Sequence, residues 1–178
     1  TNKKIKVDYS PFSHRPPMEH QIPAIESLLK NDMYILADDM GLGKTVQTII
    51  SAAKLMKNNL DFATLIVCPN SLTTNWKREI NKWLPAYCVK VLDIKDIDLI
   101  KTLIYNNNFL IVNYEKLGIL VNKINNTYVK FSILIADEAH RLRVKSSNLS
   151  YYFKSLNSDT CWLLTGTPFE NKVDDIRE

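Results

Sequence analysis

Cysteine is scarce, with three residues among 178. Cys68, Cys88 and Cys161 are widely spaced and form no C-x-x-C pair, so neither a disulfide framework nor a zinc site can be assembled from them alone. They read as buried thiols in a reducing compartment. No apolar run approaches the ~18 residues needed to cross a bilayer, and the opening TNKKIKVDYS lacks the apolar stretch of a secretory signal. An intracellular protein without membrane contact is expected, cytoplasmic in a prokaryote or virus and nuclear in a eukaryote. The sequons at Asn125 and Asn148 carry weight only in a secreted protein. Internal repeats are absent, and so is a strong charge of either sign. A formal net charge of +4 permits an acidic partner such as nucleic acid without demanding one.

What is present describes an ordinary globular domain: 46% apolar and 24% charged residues, in a chain long enough for one full hydrophobic core and short for two. Residues 1–16 read as a lead-in and 17–178 as a single domain. Short apolar runs alternate with segments of helical spacing, which predicts an α/β fold with a mostly parallel central sheet and helices on both faces. The runs predict strands over Met33–Ala37, Thr64–Cys68, Val89–Leu92, Phe109–Val112, Ser132–Ala136 and Trp162–Leu164. Helices are expected over His20–Lys30, Lys44–Lys57, Leu72–Leu84 and Asn148–Leu156. The Asn-rich stretches Asn106–Asn108 and Asn122–Asn126 read as surface turns.

In an open parallel sheet, ligands collect at the carboxyl ends of the strands, and five of the six runs end in polar segments suited to phosphate, metal or nucleic acid. Asp38–Thr45, DDMGLGKT, lies between a strand and a helix. Gly41 and Gly43 let the backbone curl so that its N–H groups converge, and the following helix aims its positive end at the same place. That is a phosphate cradle, with Lys44 reaching the β and γ phosphates and the Thr45 hydroxyl suited to Mg²⁺. Asp38 stands where G-x-x-x-x-G-K-[ST] has its first glycine. Asp137 and Glu138 follow the run Ile133–Ala136. Paired with an upstream phosphate loop they divide two jobs, Asp137 holding Mg²⁺ and Glu138 polarising the attacking water; an isolated Asp-Glu pair also suits the first turn of a helix. Trp76 and Trp83 share one helical face and read as core.

The ordered set of motifs resembles the superfamily 2 nucleic-acid motors, and within them the Swi/Snf-type DNA translocases. LADDMGLGKTVQTI is similar to motif I, LIVCPNSLTTNWKREINKW to motif Ia, DEAHRLR to motif II and LTGTPFEN to motif III. Together they cover the chain from about Pro16 to Asn171. The resemblance implies a RecA-like P-loop lobe that takes ATP and Mg²⁺, with nucleotide held by Asp39, Met40, Gly41, Leu42, Gly43, Lys44 and Thr45, and Mg²⁺ by Thr45 and Asp137. Lys44 and Glu138 become the catalytic residues. Gln21 takes the place of the adenine-reading glutamine, for which an amide that both donates and accepts is suited. His140, Thr165, Gly166 and Thr167 look like positions that relay the state of the nucleotide. Ser71, Asn75, Lys77, Asn113 and Tyr114 would face a DNA backbone, where short polar groups suit phosphates and carry no sequence information; each alone also suits an ordinary cap or solvated side chain.

Two residues depart from the family pattern: Val144 stands where an asparagine is usual, and His20 where a tyrosine is common. Asn171-Lys172-Val173-Asp174 spells the guanine-reading N-K-x-D, but it follows a turn rather than an apolar strand. The implied activity is ATP-dependent translocation on double-stranded DNA with remodelling of protein–DNA complexes. A strand-separating helicase of a repair or restriction enzyme and a non-catalytic nucleotide-dependent clamp are the alternatives. The resemblance also implies a second RecA-like lobe, not contained in these 178 residues, that supplies arginines to the transition state. Without it, hydrolysis by this chain is expected to be very slow.

Overall fold

The computed structural model describes residues 12, 15–37, 43–56, 62–125, 127–144 and 147–166. Six strands, β1 (Met33–Leu36), β2 (Thr64–Cys68), β3 (Val89–Val91), β4 (Phe109–Asn113), β5 (Phe131–Ala136) and β6 (Ser158–Leu164), form one sheet in the order β1-β6-β5-β2-β4-β3. Every pairing is parallel. A parallel sheet must be covered on both faces, and the period of two along each strand supplies two separate cores. Leu65, Val67, Leu110, Val112, Leu134 and Ala136 point to one side. Ile66, Cys68, Ile111, Ile133 and Ile135 point to the other. Full burial of one such side chain contributes about 1.5–3 kcal/mol, so these central strands anchor the domain.

Helices α1 (Ile22–Lys30), α2 (Lys44–Met56) and α3 (Thr73–Trp83) cover the second face. In α2 the residues Ile49, Ile50, Ala53 and Met56 recur at helical spacing and are buried. The first face is covered by α4 (Ile94–Ile97), α5 (Ile100–Asn106), α6 (Tyr114–Ile124) and α7 (Leu149–Lys154). Helix α6 starts at Asn113, whose side chain accepts the Lys116 N–H at 2.9 Å as an N-cap. Leu117, Leu120, Val121 and Ile124 then form its buried stripe. This is the α/β arrangement expected from the alternating pattern, and it is consistent with the RecA-like lobe that the resemblance implies.

All six expected strands are present, within a residue or two of their predicted bounds except β6, which starts four residues earlier at Ser158. The four expected helices are present with shifted ends, and a 3-10 turn at Glu19–Gln21 precedes α1. Three helices were not expected: α4, α5 and α6. Asn122 lies in the last turn of α6 rather than in a surface turn, and Asn106 closes α5. Asn126 lies outside the described residues. Cys68 is buried and Cys161 partly so, but Cys88 is exposed, which corrects the expectation of three buried thiols: it sits in the turn between α3 and β3. No helix among the described residues is long and apolar enough to cross a membrane.

Candidate nucleotide and metal site

Sheet order brings the distant motifs together. The phosphate turn follows β1 and the acidic pair follows β5, and β6 lies between them. Neighbouring strands are ~4.8 Å apart, so the ends of β1 and β5 are separated by only ~10 Å. Thr165, fully buried at the end of β6, occupies the gap, its N–H donating to Leu36 O at 3.1 Å. Lys44 opens α2, close enough to Asp137 for its positive charge to favour the carboxylate. Two residues 93 positions apart in the sequence thus come to the same end of the sheet.

Gly43 has φ +83°, the left-handed region in which a side chain is strained. A Cβ there would also lie 2.3 Å from Gln21 Nε2, so the glutamine amide is packed directly on the phosphate turn. Gln21 is only 6% exposed, and its Oε1 accepts the Met18 N–H at 3.0 Å. The structure therefore brings the expected adenine reader and the turn into contact. Lys44 and Thr45 are half-buried at the start of α2. Asp39, Met40, Gly41 and Leu42 lie outside the described residues, as does Thr167.

Asp137 is 8% exposed and held from both helical layers. Trp76 Nε1 of α3 donates to Oδ2 at 2.8 Å, the Glu138 N–H donates to Oδ1 at 2.9 Å, and the Tyr114 hydroxyl of α6 donates to the Asp137 carbonyl at 2.7 Å. Burial pushes the Asp137 carboxyl above its usual range, and the bonds from Trp76 and Glu138 oppose that shift, as does Lys44. Glu138 adopts φ 52° and ψ 48°. A non-glycine residue there costs roughly 1–2 kcal/mol, a strain found preferentially at functional sites. Its carboxylate is half-buried and lies 3.3 Å from His140 Nδ1, so the catalytic and relay candidates touch.

The residues proposed to face DNA divide. Ser71 and Lys77 are exposed and Asn75 is half-buried, on one continuous stretch from the 3-10 turn Asn70–Leu72 into α3. Asn113 is 7% exposed, and it caps α6 while donating to Asn70 Oδ1 at 2.8 Å. Tyr114 is 1% exposed; its ring lies under the Arg141 guanidinium at 4.9 Å and its phenol is committed to Asp137. The expectation that the Tyr114 side chain faces DNA is corrected: packing against Leu117 and the sheet draws it into the core. The Asn113 side chain is likewise committed within the protein. Sequence reasoning missed Trp76 as part of the site, having read it as core; it is core, and it is also a hydrogen-bond donor to the site's carboxylate.

Residues 20–178 match the SNF2-related domain family. The chain belongs to that family. The SNF2-related domain is 38% identical over 152 residues to the human DNA repair and recombination protein RAD54B, a match covering 80% of this chain and 16% of that protein. It is 36% identical over 151 residues to the chromatin remodeling factor mit1 of Schizosaccharomyces pombe, covering 80% of this chain and 11% of the relative. Among solved structures it resembles the Sulfolobus solfataricus SWI2/SNF2 ATPase core in complex with dsDNA, with a TM-score of 0.75 and 30% identity over 89% of this chain and 34% of that one. The SNF2-related domain thus spans about a sixth or less of the two named relatives' length and a third of the structural neighbour.

Proposed function

We propose that the chain is the ATP-gripping lobe of a motor that translocates on double-stranded DNA and remodels protein–DNA complexes. The observation that carries this reading is the arrival of Lys44, after β1, and of the buried Asp137, after β5, at the same end of the sheet on either side of β6, with Gln21 packed against Gly43. A glycine turn that a Cβ would close, opening onto a helix N-terminus, suits a polyphosphate. Among the described residues no cluster of three or more His, Cys, Asp or Glu could hold a metal by itself. Mg²⁺ is bound through one or two protein oxygens together with phosphates and water. Asp137 and Thr45 would hold it, and bound there it would neutralise phosphate charge.

The chain's own residues then have distinct tasks. Gln21 orients the base, and Lys44 balances the negative charge of the terminal phosphates. Glu138, set off the helical path by its left-handed backbone, polarises the water aimed at the γ phosphate. Its contact with His140, and Thr165 between the two motifs, give the nucleotide's state a route toward the outer surface. Ser71, Asn75 and Lys77 form that surface on α3 and the turn before it, where contact with phosphate oxygens gives sequence-tolerant, salt-sensitive binding. The neighbour solved with dsDNA and the repair and remodelling relatives support duplex DNA as the track. Strand separation is the second reading, favoured only by the superfamily motifs shared with helicases.

The test compares ATP hydrolysis by a protein carrying both lobes with no nucleic acid, single-stranded DNA, duplex DNA and duplex RNA. Stimulation greatest with duplex DNA, abolished by Lys44→Ala and by Glu138→Gln, is the expected result. Stimulation confined to single strands or RNA refutes the duplex reading. The isolated chain is expected to hydrolyse ATP very slowly, because a missing arginine finger costs ~1,000- to 100,000-fold.

A further inference from the structure

We propose that Trp76 is a positioning residue for the metal-site carboxylate, its indole N–H fixing Asp137 and tying that carboxylate to the helix that carries Asn75 and Lys77. This rests on the nucleotide reading above and extends it to a residue outside the motif's phosphate and acid positions. The chain has three tryptophans, and their N–H groups are treated differently. Trp162 Nε1 donates to a backbone carbonyl, Asn31 O, at 3.4 Å. Trp83 Nε1, on the same helix as Trp76, is buried and has no acceptor among the described residues. Trp76 alone donates to a carboxylate, at 2.8 Å, across 61 positions of sequence. A donor brought that far to a buried charged oxygen is a built feature, since a buried indole is satisfied equally well by a carbonyl.

The geometry shows what the bond does. Oδ1 of Asp137 is held by the N–H of Glu138 and Oδ2 by Trp76, so the plane of the carboxylate is pinned at both oxygens. Each carboxylate oxygen has two lone pairs, so each keeps one free for a cation. Tyr114 fixes the backbone of the same residue from the opposite layer. Trp76 itself is 1% exposed and wedged in the core between α3 and the sheet, which leaves its ring no rotational slack. On either side of Trp76 in the same helix, Lys77 is exposed and Asn75 half-buried. A displacement of α3 by a bound backbone therefore moves the donor, and with it the carboxylate. Outer partners that hold a metal-ligating group are worth 10- to 100-fold in metal affinity.

The experiment measures the affinity of the 178-residue chain for a fluorescent ATP analogue, once with Mg²⁺ and once with EDTA. The variants are Trp76→Phe, which keeps the aromatic packing and removes the donor, Trp83→Phe as a control on the same helix, and Lys44→Ala. Trp76→Phe is expected to lower affinity about 10-fold with Mg²⁺ and to leave the EDTA arm unchanged, while Trp83→Phe changes neither. A merely structural role for Trp76 lowers both arms equally, and that result overturns the proposal, as does no change in either. A second readout uses the unaltered chain with ¹⁵N-labelled indoles, the Trp76 signal being assigned by elimination with Trp83→Phe and Trp162→Phe. It should shift when Mg²⁺ joins the nucleotide; a stationary signal overturns the proposal even where Trp76→Phe does not fold. Mg²⁺-dependent binding that Lys44→Ala abolishes but Trp76→Phe spares refutes the role of Trp76 alone. Absence of any Mg²⁺-dependent binding that Lys44→Ala can abolish refutes the nucleotide reading and this proposal together.

Discussion

Replacing Gly43 by alanine tests the packing of Gln21, the proposed adenine reader, on the proposed phosphate turn. Two costs add. An L-residue at φ +83° is strained by roughly 1–2 kcal/mol. The new Cβ would also meet Gln21 Nε2 at 2.3 Å, so the amide must withdraw and give up its bond to the Met18 N–H, worth about 1 kcal/mol. Gly43→Ala should therefore cost about 2–3 kcal/mol, which in a domain of this size lowers the melting temperature by roughly 4–12 °C. Gln21→Ala alone should cost about 1 kcal/mol through the lost Met18 bond. In the double variant the clash has no partner, and only the backbone strain and the missing bond remain. The two effects should fall short of additive by about 1 kcal/mol, measured by urea denaturation of all four proteins. Additivity within about 0.3 kcal/mol would refute the contact between Gln21 and the turn, and with it the structural case for Gln21 at the nucleotide.

Tyr114→Phe removes the hydroxyl that bonds the Asp137 carbonyl and leaves that carbonyl buried without its donor, so stability should fall by about 1–3 kcal/mol. Affinity for duplex DNA, measured in a protein carrying both lobes, should stay unchanged because the ring does not reach the surface; a selective loss of DNA binding would restore the contact role. Native alkylation at pH 8 should label Cys88 and spare Cys68 and Cys161, whose thiols are both pushed up to about 12, chiefly by burial. The two raised thiols also set an alkaline limit. Their stabilising contribution is complete below the unfolded thiol value near 9 and is lost as pH rises from there toward 12, because only the unfolded chain releases these protons. Urea titrations should show a decline over that window, and a double Cys68→Ala, Cys161→Ala variant should show a shallower one.

The fold was legible wherever a segment had one environment. The central strands β2, β4 and β5 are almost wholly apolar because helices cover both of their faces, and the pattern located them to within a residue. The start of β6 was hidden because Ser158 and Asp159 lie at its open end, where polar side chains still fit a ladder. Helix α6 was missed for a different reason. The resemblance places its N-cap Asn113 and first residue Tyr114 at DNA, although Asn113 followed by the 3.6-residue stripe from Leu117 to Ile124 is itself a helix start. Lys44, Asp137 and Glu138 stood out in the sequence because few residue types suit the chemistry proposed for them, and the sheet order carries all three to the same rim. Trp76 was not: its apolar face and its hydrogen-bonding edge serve different purposes, and only the coordinates show which acceptor the edge meets.

With every strand pointing the same way, the chemistry is confined to one rim of the sheet. The turns at the opposite rim, among them residues 84–88 and 127–130, connect helices back to strand beginnings, at the other end of the strands from Lys44 and Asp137. That rim is accordingly the place to attach a dye, lengthen a loop or graft a tether for surface capture while leaving the proposed nucleotide site as it is. The exposed thiol of Cys88 already offers a chemical handle there.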